Sequence, residues 1–148
     1  MLGRRGIGVW VMALFPAPRT IVQLLSASDH GLRVTGFSVT FQGVSNVAAP
    51  ALVELLRQDD AGSMTSLVLK KFDDSLADSF DVSGLRQATT EPASGEVLWR
   101  GYAHQQGGVI VQFNKAQSKM VPAGGRIGIA VTATTIGLSG CGSITFEE

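Results

Sequence analysis

Asp73, Asp74, Asp78 and Asp81 crowd into one short stretch of a 148-residue chain, and clustered carboxylate oxygens are what a hard cation takes as ligands. The spacing departs from an EF-hand loop, with Phe80 where a polar ligand or a turn glycine would be needed. Solvated loop carboxylates and helix caps are therefore the favoured reading, with a short helix over Ser75–Phe80. His30 and His104 both fall in turn-like stretches, and Asp29 beside His30 does not make a catalytic pair, because side-chain geometry rather than chain adjacency defines one. Cys141 lies between Gly140 and Gly142 at the start of the last strand, reads as a small buried hydrophobe, and has no second cysteine to join it in a disulfide or a zinc site. Glu54, Glu91 and Glu96 are the candidates for a carboxylate pair of the glycosidase kind. Glu96 opens a strand and Glu91 precedes Pro92, so both are expected to face solvent. No catalytic constellation emerges, and neither an enzyme nor a bound cofactor or metal is expected.

The glycines of "VPAGGRIGIAVTAT" decide between a phosphate loop and a turn. A phosphate loop needs a strand before the glycines and a helix after them, so that amides and the helix N-terminus face the anion. Here Gly124 and Gly125 follow a proline turn, and Ile127, Ile129 and Val131 then alternate with small residues, the pattern of a strand with one buried face. The pair reads as a hairpin turn.

The same alternation organises the rest. "TIVQLLS" (Thr20–Ser26) and "LRVTGFSVTFQG" (from Leu32) are predicted strands, and Gly36 sits where the apolar parity switches, the signature of a bulge or bend. Pro50–Gln58 is assigned as a strand over a short helix, and Ser66–Phe72 as another. Asp73–Gly95 breaks the pattern and reads as a long insertion. Strands resume at Glu96–Ala103, Val109–Asn114, Arg126–Thr134 and Cys141–Glu148. About eight strands with closely spaced turns predict an all-β antiparallel sandwich or jelly roll. Phe37, Phe41, Phe113 and Phe146 fall on strand faces. Trp99 and Tyr102, three apart and so on opposite faces, cannot share a sugar-binding platform, and Trp99 is expected in the core.

The N-terminus is harder to place. Arg4 and Arg5 precede an apolar run from Ile7 to Phe15, which mimics a secretory signal. The run is too short to span a bilayer as a helix, Pro16 and Pro18 end it, and no small-residue cleavage site follows promptly. The expectation is an extended arm over residues 1–19 ahead of a β domain over 20–148, or a start upstream of a product beginning at Met12. An apolar arm needs cover, so Ile7, Val9, Trp10, Val11, Leu14 and Phe15 are assigned to an interface with a neighbouring subunit.

Composition narrows the partners. Twelve basic and twelve acidic residues cancel, so no net field draws the molecule to nucleic acid or an anionic membrane, and neither is an expected partner. Hydrophobic residues make up 45% and charged residues 16%, which is too apolar for disorder and leaves a surface of Ser, Thr, Gln and Gly. Such a surface repels neighbours weakly.

The strings "LRVTGFSVTFQG", "APALVELLRQDDAGS", "EPASGEVLWRG", "GGVIVQF", "VPAGGRIGIAVTA" and "ITFEE" resemble, in order and spacing, small virion proteins of tailed-bacteriophage structural modules, over about Thr20 to Glu148. The resemblance is to capsid decoration, or cement, proteins with sandwich or jelly-roll folds. It implies a non-catalytic subunit on the capsid surface of the virion, trimeric and seated on the major capsid protein lattice, with no catalytic residues to carry over. The alternative is a carbohydrate- or host-receptor-binding sandwich module of a tail or fibre.

Overall fold

The computed structural model of the chain describes residues 4–43, 50–73, 79–134 and 137–148. Among these residues there are twelve strands and no helix. They are β1 (Arg5–Ala13), β2 (Arg19–Leu25), β3 (Leu32–Gly43), β4 (Ala51–Gln58), β5 (Ser63–Leu67) and β6 (Lys70–Lys71), then β7 (Ser83–Thr90), β8 (Ser94–Ala103), β9 (Val109–Gln112), β10 (Lys119–Val121), β11 (Arg126–Thr132) and β12 (Leu138–Glu147). The first sheet runs β10-β3-β12-β1-β6, with β9 also paired to β3, and the second runs β5-β7-β2-β11-β4-β8. The pairings are antiparallel, and the two sheets enclose a single apolar layer, which makes the molecule a β-sandwich.

Period-two patterning explains which faces meet. On β12, Leu138, Ile144 and Phe146 point inward while Ser139, Cys141, Ser143, Thr145 and Glu147 point out. Opposite them, Ile127, Ile129 and Val131 of β11 and Leu24 and Val22 of β2 are fully buried. Phe37 anchors one end of the core, with Trp99 edge-on at 5.2 Å and Phe113 at 6.1 Å. Phe146 anchors the other, edge-on to Phe80 at 5.0 Å. The parity switch at Gly36 is a register shift: Thr145 pairs with Gly36 and Phe146 with Val34, leaving Thr35 as the extra residue.

The N-terminal segment departs from expectation. Residues 5–13 are a strand within the first sheet, held along their whole length by β12 from Arg5↔Glu147 to Ala13↔Ser139, rather than an arm. Gly6, Gly8, Trp10 and Met12 face inward and Ile7, Val9 and Val11 outward. Because two of the inward positions are glycines, the hydrophobic residues read as one run and the alternation is hidden in the sequence. The prolines carry the chain over to β2 in the other sheet.

The strand expected over Ser66–Phe72 is divided between the two sheets, and the insertion after it holds the unexpected strand β7. β5 lies on the edge of the second sheet and β6 on the edge of the first, so the chain crosses between sheets at Val68 and Leu69. There the Leu69 side chain fills the place a Cβ would take on Gly84, 2.7 Å from its Cδ2, and only glycine admits that approach. β7 was invisible because its alternation is broken at Gln87, a non-glycine residue at φ +54°. The expected helix over Ser75–Phe80 lies mostly outside the described residues, and Ser79 and Phe80 are not helical.

Candidate functional site

The two outward faces of the sandwich differ in kind. Over the second sheet, Thr20, Gln23 and Gln58 are 0–4% exposed although they point away from the core. They form one hydrogen-bonded chain: Arg126 Nη1 donates to Gln23 Oε1 (2.9 Å), Gln23 Nε2 to Gln58 Oε1 (2.7 Å), and Gln58 Nε2 to Thr20 Oγ1 (2.8 Å). Gln58 lies flat across Gly128, where any Cβ would collide with its amide. The loops after β4 and β7 roof this end, tied by Asp59 N–H to Ala93 O (2.8 Å) and Ala93 N–H to Asp60 Oδ1 (3.1 Å). A polar group leaving water must find a partner or cost a few kcal/mol, and among the described residues no buried side-chain polar atom is left without one.

Glu91 belongs to this roof and is not the solvent-facing residue expected of it. Its carboxylate accepts from the Thr20 amide (2.8 Å) and from the Thr20 hydroxyl. Burial pushes its carboxyl above the usual value of 4.5, against the lowering effects of Thr20 and Arg19. Glu96 does face solvent, with Arg57 at 3.3 Å. Glu54, buried on the same outward face, is gripped by Arg100 Nε at 2.8 Å and Nη2 at 2.6 Å. Each of the three glutamates thus has its own partner: Thr20 for Glu91, Arg57 for Glu96 and Arg100 for Glu54.

The other chemical candidates resolve similarly. Cys141 points outward and is half-buried, with Val11 and Thr40 beside it on the neighbouring strands. His104 is exposed in a turn and accepts from the Gln106 amide (3.2 Å). His30 Nδ1 lies 2.8 Å from Asp29. Its Nε2 belongs to a trio with Asp81 and Glu148 whose ligand atoms fall within 4.8 Å. Arg4 already sits against both of those carboxylates, at 2.8 and 2.9 Å, and the amides of Asp81 and Val82 donate to Glu148. The arrangement is an ion-pair clasp joining Arg4, Glu148 and the bend that leads into β7. Of the acidic stretch, Asp74 and Asp78 lie outside the described residues.

The outward face of the first sheet, by contrast, is open. Its rows, read across adjacent strands, are Ala13–Ser139–Gln42, Val11–Cys141–Thr40 and Val9–Ser143–Ser38–Ile110. These rows hold no charged residue, and Val9 (44%), Val11 (51%) and Ile110 (74%) are exposed on them. The next-but-one row changes character: Arg5–Glu147–Arg33 is a ladder of charges on three neighbouring strands. Phe72 and the loop between β9 and β10 wall it, leaving a groove of about 640 Å³.

Of the residues assigned to an interface, Ile7, Val9 and Val11 lie on this open face and Phe15 is exposed beyond the strand end. Leu14 is instead a core residue, 1% exposed. Trp10 turns inward, its indole N–H donating to Gln87 Oε1 (3.0 Å) and its ring lying under the Arg86 guanidinium at 3.7 Å. Tyr102 is exposed and Trp99 packs against the core, so they form no platform. Comparison of the chain with family models, with curated proteins and with solved structures finds no match to any of them.

Proposed function

We propose that the chain is a non-catalytic structural subunit, a capsid decoration protein that works by association with copies of itself and with a shell of major capsid protein. The observation that carries this reading is the asymmetry of the two outward faces. One is covered by the protein's own loops and a satisfied polar network at the end around Thr20, Gln23 and Gln58, and the other presents uncharged rows with exposed aliphatic side chains at Val9, Val11 and Ile110. Depletion of charge at the centre and apolar exposure in a patch are what a protein interface requires, because no ion has to be desolvated on docking. The strand order adds weight. Without the β5–β7 insertion, β1, β2, β3, β4, β8, β9/β10, β11 and β12 form two sheets ordered β10-β3-β12-β1 and β2-β11-β4-β8. This order supports reading the sandwich as a jelly roll, an architecture used by viral capsid subunits and by lectins. Architecture alone does not set function, so the face carries the argument.

The test is addition of the purified chain to heads assembled without it. Co-sedimentation and a higher temperature of DNA release are expected, with trimers in sedimentation equilibrium. Val11→Lys, which places a charge in the middle of the face, is expected to abolish binding while leaving a folded chain. A wild-type chain that stays in the supernatant, or a Val11→Lys chain that binds as well as wild type, would refute the reading.

A further inference from the structure

The groove at the charged end of the open face has a composition that the neutral rows do not explain. Arg5, Arg33 and Lys115 line it against one carboxylate, Glu147, a local excess of two positive charges in a chain that is neutral as a whole. These cations are poorly satisfied within the protein. Arg5 Nε stands 3.7 Å from Glu147, beyond hydrogen-bond distance, and its side chain is 63% exposed. Arg33 spends its Nε on the sulfur of Met120 (3.4 Å), a weak acceptor. Lys115 is exposed and makes no ion pair among the described residues.

We propose that this groove binds an acidic oligosaccharide. The carboxylate of a uronic-type sugar would be held by the guanidinium of Arg33 and the ammonium of Lys115, since charge-assisted hydrogen bonds are the strong ones. The floor carries Gln112 and Ser118, side chains that both donate and accept, as a hydroxyl-rich ligand needs. Phe72, 59% exposed, offers an aromatic wall for the C–H face of a sugar ring. The volume lies inside the range of roughly 300–1,000 Å³ common to small-ligand sites. An acidic peptide fits less well. The floor is the face of a sheet whose backbone groups are consumed by the ladders β1·β12 and β12·β3, so a peptide main chain would find no strand edge to pair with.

The experiment titrates the full chain with trigalacturonate, with the neutral trisaccharide of the same linkage and with hexaglutamate, following backbone amide shifts. Trigalacturonate is expected to bind saturably, with shifts clustered at Arg33, Thr35, Gln112 and Ser118, and at least about tenfold more tightly than the neutral sugar. Lys115→Gln and Phe72→Ser, both at exposed positions where folding is preserved, should each weaken it by about fivefold or more. Equal affinity for the neutral sugar, tighter binding of hexaglutamate, or no shift with any probe would overturn the proposal. It stands apart from the shell reading: a Val11→Lys chain that no longer binds heads is expected to keep this site.

Discussion

Leu14 and Val11 lie three residues apart and separate a core strand from an arm. If residues 5–15 were an arm on a neighbour, truncating either side chain would loosen assembly and leave the fold alone. In the sandwich the two have opposite duties. Leu14 is 1% exposed and its methyl groups rest on Gly140, with its amide bonded to Leu138 O at 2.8 Å. Leu14→Ala removes three carbons worth about 0.8 kcal/mol each, and the void left over a glycine-lined strand adds a cavity term, so the loss should be about 3 kcal/mol. For a domain of this size that is a fall in Tm of about 10 °C. Val11 is half in water, and Val11→Thr keeps its shape, so stability should move by less than about 0.5 kcal/mol. Urea unfolding with matched m-values provides the assay. A Leu14→Ala chain as stable as wild type, or a Val11→Thr chain as damaged as Leu14→Ala, would refute the placement of β1.

Four further outcomes are expected. Since burial raises the Glu91 carboxyl above 4.5, the folded state holds that proton more tightly than the unfolded chain. Its contribution is full below the unfolded value and is lost as pH rises through the folded one. Urea unfolding of wild type and Glu91→Gln should therefore show the wild type losing ground to the variant as pH rises from below 4.5, and an unchanged difference would contradict the assignment. Gln58→Leu strips Gln23 and Thr20 of a partner and should cost about 1–3 kcal/mol in the same assay. Arg100→Ala leaves the Glu54 carboxylate, 12% exposed, without its cation; because Arg100 is itself 58% exposed, the loss should be about 1–3 kcal/mol rather than the larger figure of a fully buried pair. Cys141→Ser should leave Tm and assembly unchanged, since serine keeps the size of this half-buried side chain and adds no charge to the face; any lost turnover would contradict a structural role.

The fold class was legible because most strands carry an unbroken period of two. Leu32–Gly43 was readable even at its bulge, since Gly36 marks the change of parity, and Ala51–Gln58 was a strand despite its leucines. What escaped had a physical cause in each case. β1 hides behind Gly6 and Gly8, whose missing side chains make room for Phe80 and Leu69. β7 carries Arg86 and Gln87 at positions that bind the indole of Trp10 from the other sheet, so its polar residues serve a contact between sheets that no local pattern announces. The polar outward face of β2 and β4 was unreadable for the same reason: Gln23 and Gln58 look like surface residues until the roof over them is known.

The charged groove shows why sites on sandwiches are harder to read than the folds that carry them. Arg5, Arg33 and Glu147 come from opposite ends of the sequence, and nothing in their local neighbourhoods distinguishes them from solvated charges. They become one row only because β12 runs between β1 and β3, and because the extra residue at Thr35 restores Arg33 to the outward face opposite Glu147. A one-residue slip in either pairing would turn a side chain of the row to the core. The site is therefore a product of register, and register is set by the buried parity of Leu32, Val34, Ile144 and Phe146 on the far side of the same strands. The residues that fix the groove's geometry are thus core residues that never touch it, and a core substitution that shifts β3 by one position would erase the groove while leaving its composition intact.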